Sequence, residues 1–466
     1  MDYFTMDDST VDHSSIPLFP LQLYICAMKR VLVIAYYWPP AGGGGVQRWV
    51  KFCKYLPDFD WEPIVYTPED ADYPTLDTSL VEDVSPSLKV LRQPIWEPRK
   101  LYAKWVNSSA GKGPQTQTDE VFYLSPKERS WKQNVSLWIR GNLVIPDARK
   151  FWIKPSIKFL STYLEKNPVD AVISTGPPHS MHLIALGLKQ KLGIPWIADF
   201  RDPWTHIEFY DKLMLSSWAD SRHKYLEKRV HQVADAVIKV SPAWIDLDAP
   251  LEPQRSRVIT NGYDEADFNH TKPTLREEFV ISHIGTLAPD RNPKFLWEVL
   301  KDLCKENTRF AESLKLQFVG KTDPFVIEKV EKMGLGPRME DLGYVSHQSS
   351  IELMQSTQVL LLLINESEKN AVGRIPGKVF EYLAAQRPIL VIGPPTGDAA
   401  KLIQDLGAGS CVNFEDKFAL RREVDRLYTL FTEDNLRISS AGIKQYSRKK
   451  LTNKLVELLE EVVGSR

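Results

Sequence analysis

Two series of short apolar runs, separated by longer amphipathic stretches, leave this chain few folds to choose from. In the first half the runs are Val31–Tyr36, Pro63–Thr67, Lys89–Arg92, Ala171–Thr175, Pro195–Phe200, Ala236–Val240 and Arg257–Thr260. The second half repeats the rhythm at Val280–Gly285, Lys315–Gly320, Met339–Gly343, Val359–Ile364, Ile389–Ile392 and Ser410–Asn413. Runs of strand length that alternate with helical stretches describe parallel sheets covered by helices on both faces. Each series therefore predicts one doubly wound α/β domain. A length of 466 residues, too great for one ordinary core, leads to the same pair.

The break falls in VITNGYDEADF (Val258–Phe268), where Asn261-Gly262 is a turn signal and polar residues follow. The expected division is an N-terminal domain over 28–262, a C-terminal domain over 263–445, and a final helix over 446–466 that packs back towards the N-terminal domain. In QYSRKKLTNKLVELLEEVV the basic residues come first and the acidic ones later. That order opposes the helix dipole, so tertiary contacts must hold this helix. Residues 1–27 read as an extension outside the core. Their leader is acidic, unlike a secretory signal, and Met28 is a candidate translation start.

Residues 93–150 interrupt the first series. A polar loop there gives way to a stretch in which Trp131, Trp138 and Trp152 interleave with Lys127, Arg129, Lys132, Arg140, Arg149 and Lys150. Such a segment is either an insertion with a small core of its own or a face that rests on an anionic membrane or holds an acceptor.

The formal net charge of -1 gives no overall bias towards nucleic acid. Cys26, Cys53, Cys304 and Cys411 stand alone, without CxxC or zinc-like spacing, as inert thiols of a reducing cytosol do. No apolar run reaches the ~20 residues that span a bilayer. The expectation is a cytoplasmic protein with peripheral contact at the inner face of the cytoplasmic membrane.

Four motifs carry chemistry. The first is AGGGGVQRW, in which Gly42–Gly45 follow a strand and precede a helix. Such a turn points backbone N–H groups at an anion, aided by the helix dipole. As a dinucleotide fingerprint it is poor: the third glycine is missing, and no acidic residue clearly ends the second strand. The second is GRIPGKVFEYLAAQRPILVIG (Gly373–Gly393). Lys378 stands at a helix N-terminus, the wrong end for helix stability and the right end for an added anion. Glu381 follows within a turn, where one carboxylate can chelate a vicinal diol such as a ribose. The third is HIGTLAPDRNPKFLWEVL (His283–Leu300), whose Arg291 lies in the loop after a strand, placed to meet phosphate bidentately. The fourth pairs STGPPHSMHL with IADFRDPW, which bring His179, Asp199, Arg201 and Asp202 to the same sheet edge as the glycine loop.

With these residues in place, the chain resembles the retaining glycosyltransferases of family 4, and within them the bacterial branch associated with polysaccharide assembly. YYWPPAGGGGVQRW is similar to their acceptor-and-phosphate loop, LEKRVHQVADAVIKVSP to their last N-domain helix and strand, VITNGYDEADF to their linker, and PGKVFEYLAAQRPIL to their donor-site helix. The resemblance implies an α/β fold of the GT-B class, two Rossmann-like doubly wound domains facing across a cleft. It implies that Glu381 binds the nucleotide ribose, that Arg291, Lys378 and the backbone of Gly44 and Gly45 bind the donor diphosphate, and that Tyr344 and Val345 lie near the base. Gly285 and Thr286 belong to the same donor site, and Gly43, His179, Asp199 and Arg201 to the acceptor site. Two positions depart from the pattern. Gly373 stands where the family often has a first glutamate, and Thr286 where it often has an arginine.

The activity implied is transfer of a sugar from a nucleotide-sugar donor to a saccharide or lipid-linked acceptor, with retention at the anomeric carbon. Arg291 and Lys378 act on the leaving diphosphate, and His179 or Asp202 orients the acceptor. Neither a metal nor a cofactor is called for, since the nucleotide sugar is itself the donor substrate. A sugar-nucleotide 2-epimerase of the same architecture and a non-catalytic nucleotide-binding subunit are the alternatives.

Overall fold

The computed structural model describes residues 28–73, 76–97, 131–247, 251, 255–268, 274–365, 370–438 and 442–465. The extension over 1–27, the polar loop of the 93–150 segment, and Lys127 and Arg129 lie outside the described residues.

The N-terminal domain is built on β1 (Lys29–Ile34), β2 (Trp61–Pro68), β3 (Lys89–Gln93), β4 (Ala171–Gly176), β5 (Trp196–Phe200), β6 (Ala236–Lys239) and β7 (Ser256–Val258). They form one seven-stranded sheet in the order β3-β2-β1-β4-β5-β6-β7. The C-terminal domain uses β8 (Phe279–Ile284), β9 (Leu314–Val319), β10 (Met339–Asp341), β11 (Val359–Leu363), β12 (Ile389–Ile392) and β13 (Gly409–Val412). Their order in a six-stranded sheet is β10-β9-β8-β11-β12-β13. Every pairing in both sheets is parallel. Each apolar run of the sequence is a strand, with ends within two residues of those expected. The reason is burial on both faces: Val31 to Ile34 and Phe279 to Ile284 are buried without a break.

The helices earn their places by one-sided apolar patterns. In the helix Gly44–Tyr55, Val46, Trp49, Val50 and Cys53 are buried, the i, i+3, i+4, i+7 spacing of a single face. The helix Arg448–Gly464 buries Leu451, Leu455, Leu458, Leu459 and Val462 in the core of the N-terminal sheet. Its N-cap is Ser447, whose hydroxyl accepts from the Lys450 N–H. Glu460 reaches Trp61 and Lys29, and Glu461 reaches Arg257 at 2.9 Å. The chain thus crosses between domains twice. The two crossings pair: Tyr263 N–H donates to Tyr446 O at 3.2 Å, and Arg448 N–H to Tyr263 O at 2.8 Å. A Cβ on Gly262 would lie 2.3 Å from Tyr446 O, so this approach needs glycine.

The described part of the 93–150 segment divides its aromatics. Trp152 lies flat on Tyr66, ring centres 4.7 Å apart, inside the core of the N-terminal domain itself. Trp131 and Trp138 lie on the helix Trp131–Asn142 and are exposed. Among the described residues no helix is long and apolar enough to cross a membrane.

Candidate active site

In each sheet the strand order reverses at one point, between β1 and β4 and between β8 and β11. Open α/β sheets bind ligands in the crevice outside the carboxyl ends of the strands there. A cavity of about 230 Å³ lies between the two domains, with Gly45, Arg201, Asp202 and Trp244 on one side and Arg291 and Arg374 on the other. A cavity of about 150 Å³ holds a benzene ring, so this one has room for a sugar ring.

On the C-terminal side, Gly285 follows β8 with φ +142°, a backbone conformation that favours glycine, and the Lys378 side chain runs beside it. Lys378 Cε would lie 3.5 Å from a Cβ there. His283, two residues earlier, is buried and bonds Leu361 O through Nδ1 at 3.1 Å. Burial pushes its pKa down to about 4, and the charges of Arg291 and Lys378 push the same way. The imidazole is therefore neutral near pH 7, near enough to Arg291, which ends a short turn, and to Lys378, which begins a helix, to feel both charges. Glu381 sits behind them, its carboxylate 3.7 Å from Lys378 Nζ. That contact is to its buried Oε2, which accepts no hydrogen bond among the described residues. Val345 packs on the adjoining core, whereas Tyr344 is 83% exposed and Thr286 is exposed.

On the N-terminal side, Gly43 has φ +97°, a conformation open to glycine, and caps the helix that Gly44 begins. Gly45 answers to a different constraint. A Cβ there would lie 2.3 Å from Nη1 of Arg201. The Arg201 guanidinium is held by Pro177 O and lies 5.9 Å from the Tyr37 ring centre. The backbone of the glycine loop thus closely approaches an arginine of its own chain, and Arg201 and Gly45 reach the cavity together. Burial pushes the Asp202 carboxyl up, and the neighbouring Arg201 pulls it down.

Two of the expected acceptor residues are placed elsewhere. His179 is 7% exposed, stacked on Trp204 with ring centres 4.5 Å apart, and does not line this cavity. Burial holds it well below the ordinary histidine range, so it is neutral near pH 7. Asp199 is a correction. It lies within β5, fully buried, and its carboxylate takes Arg48 at 2.9 Å, Trp49 Nε1 at 2.8 Å and Thr175 Oγ1 at 2.9 Å. Arg48 in turn donates to the carbonyls of Ile259 and Thr260 at 2.8 and 2.7 Å. Asp199 therefore ties the helix behind the glycine loop to the start of the domain crossing, and its carboxylate has no access to an acceptor.

Two cavity residues escaped sequence reasoning. Arg374 lies inside the motif that holds Lys378, 3.7 Å from Glu208 of the other domain. Trp244 follows β6, so the rule that selected the other loops selects it too. Its indole lies against Gly373: a Cβ there would be 2.3 Å from Trp244 Cδ1 and Nε1. Trp244 is 4% exposed, and its Nε1 has no acceptor among the described residues. A glutamate at position 373 would collide with this ring. The departure at Gly373 is thus matched by a tryptophan from the opposite domain.

The Gly45–Arg201 contact makes a direct prediction. Gly45→Val drives the guanidinium out of the cavity, and a displacement of about 1 Å costs roughly 10²-fold in rate. Arg201 offers only the far end of a flexible side chain to the clash, so the unfolding midpoint should move little. Steady-state kinetics alongside thermal melting checks this. Wild-type turnover in Gly45→Val would show that the contact has no role.

The architecture is matched across nearly the whole chain by known structures. A glycosyltransferase from Rickettsia africae superposes with a TM-score of 0.61 at 14% identity, over 94% of this chain and 99% of that one. Anabaena HepE, in complex with UDP-glucose, superposes with 0.57 at 13% identity, over 93% and 100%. The fold is GT-B. A protein from Listeria monocytogenes assigned as a UDP-N-acetylglucosamine 2-epimerase also superposes, with a TM-score of 0.52 at 11% identity over 94% and 98%. Within this GT-B chain, residues 278–429 match the family model described as glycosyl transferases group 1. That segment runs from β8 past β13 and contains Arg291, Arg374, Lys378 and Glu381. A comparison with curated proteins finds no match.

Proposed function

We propose that the chain transfers a sugar from a nucleotide-sugar donor to an acceptor hydroxyl, retaining the configuration at the anomeric carbon. One observation carries this reading: Lys378 lies beside Gly285 at the carboxyl end of β8 and Arg291 lines the adjoining cavity, while buried Glu381 Oε2 stands 3.7 Å from Lys378 Nζ. Two cations suit the diphosphate, and a carboxylate held beside one of them suits the two hydroxyls of a ribose. As the glycosidic bond breaks, negative charge gathers on the leaving diphosphate, and Arg291 and Lys378 stabilise it. These cations do the work that a metal does in other phosphoryl sites, so the reaction proceeds without one. The sugar occupies the cavity between Trp244 and Arg374, and Asp202 orients the acceptor hydroxyl. The acceptor proton passes to a donor phosphate oxygen on the face from which the diphosphate leaves.

The second reading, a sugar-nucleotide epimerase, is favoured by the shared fold and requires no acceptor. A thermal-shift screen of nucleotide sugars identifies the donor. Calorimetry with that donor then compares wild type with Glu381→Ala, which should bind at least about tenfold more weakly, the loss of a charged hydrogen-bond pair. Unchanged affinity overturns the ribose assignment. Proton NMR of the donor incubated alone separates the reactions: a new sugar nucleotide means epimerisation and overturns transfer.

A further inference from the structure

Trp244 belongs to the N-terminal domain but is held in place by the C-terminal one. It stands in the short helix Ala243–Leu247, which follows β6. Just before it, Ser241 Oγ and the Ala243 N–H both donate to Asp398 Oδ2, the second at 2.8 Å. Asp398 opens the helix Asp398–Asp405 of the C-terminal domain. It is buried, as is Ser241, and hydrogen bonds to a carboxylate are stronger than neutral ones. One domain thus pins the loop of the other. The indole is fixed a second time by shape, because its Cδ1–Nε1 edge lies against the bare backbone of Gly373. Nε1–H is on that edge and has no acceptor among the described residues, although buried indoles usually find one. Trp244 and Arg374, the residue after Gly373, both line the cavity between the domains.

Resting on the nucleotide-sugar reading of this cavity, we infer that Trp244 recognises the transferred sugar, its indole N–H donating to a sugar oxygen. A rigid donor, fixed by Asp398 and Gly373 and left without a partner, is prepared for an acceptor that arrives with a ligand. Gly373 brings no side chain, and Arg374–Gly377 beside it contains no carboxylate. The side chains of this wall can therefore donate to a sugar oxygen but cannot accept from a hydroxyl. The wall suits a sugar with a hydroxyl or carbonyl oxygen at that place. A deoxygenated sugar would leave the indole unpaired and bind more weakly. The diphosphate and ribose contacts assigned above come from Arg291, Lys378 and Glu381, all of the C-terminal domain. A nucleoside diphosphate should therefore bind without help from Trp244, and only the sugar should feel its loss.

Trp244→Phe tests this, because it removes the N–H and keeps an aromatic ring against Gly373. Calorimetry compares wild type and variant with UDP-glucose, UDP-N-acetylglucosamine and GDP-mannose, each beside its own nucleoside diphosphate. Wild type should bind at least one of these sugar nucleotides more tightly than the diphosphate. Trp244→Phe should weaken that sugar nucleotide about tenfold and leave the diphosphate unchanged. Unchanged circular dichroism and melting show that the variant is folded. If it fails to fold, Gly373→Ala takes its place, since its methyl would stand 2.3 Å from Cδ1 and Nε1 and displace the indole. No loss in the variant, or equal loss for sugar nucleotide and diphosphate, overturns the role of Trp244 and leaves the Glu381 assignment standing. Binding of none of these ligands to wild type overturns the nucleotide-sugar reading and the role of Trp244 with it. An epimerase must hold the sugar as a transferase does, so the outcome does not depend on which reaction follows.

Discussion

Arg291→Ala should lower turnover by about 10²–10³, the usual loss when one preorganised transition-state donor is removed. Lys378→Ala should fall in the same range. The argument rests on where the charge changes. The ground-state diphosphate already carries negative charge, so part of each contact is made before reaction. Charge increases as the bond to the sugar breaks, and a contact that strengthens then appears in kcat more than in KM. Arg291 ends a short turn and Lys378 begins a helix far along the sequence, yet both lie close enough to His283 to act on its titration. Their effects should therefore be non-additive, because two donors that serve one charge act as a unit. Arg291→Lys should restore only part of the rate, since an ammonium cannot offer the guanidinium's fork. Steady-state kinetics with the donor found by thermal shift reads all of this. Near-normal kcat in both alanine variants would remove the leaving-group role.

Asp199→Ala should destabilise the N-terminal domain by about 3–5 kcal/mol, the cost of breaking a buried ion pair from one side. Arg48 and Asp199 both have fully buried side chains, so the alanine would leave a guanidinium without its counter-charge in the core. Trp49 Nε1 and Thr175 Oγ1 would lose their acceptor in the same step. Removing both charges is gentler: Arg48→Met with Asp199→Leu should recover much of the loss, as apolar replacements of buried pairs do. Denaturant unfolding followed by fluorescence measures these differences. An Asp199→Ala protein as stable as wild type but devoid of turnover would overturn the core assignment and return Asp199 to the acceptor site.

The architecture was legible because a parallel strand buried on both faces must be apolar along its length, and such runs stand out from amphipathic helices. The location of the site followed from the same fact, since strand ends mark the crevice. What local pattern does not encode is which distant residue each side chain meets. Asp199 falls inside an expected strand, and that position alone argued for burial. Its partner Arg48 is 151 residues away, so the pairing had no local trace. Gly45 shows the complementary limit. A glycine run signals that something comes close, and only the structure names it as Arg201. Gly373 read as a lost carboxylate until Trp244 was seen against it.

The wall that completes the N-terminal core is made only after the whole C-terminal domain. Val31 to Ile34 emerge early from a ribosome, but Leu451, Leu455 and Leu459, which pack with them, follow the whole C-terminal domain. During synthesis the first sheet must therefore wait with one flank open while the second domain forms and closes its own core. The order of assembly is fixed by this threading: the second domain in sequence is the first that can finish. The same threading makes the N-terminal domain inseparable from its neighbour as a fragment, because a cut at the crossing near Tyr263 leaves its last helix on the other piece.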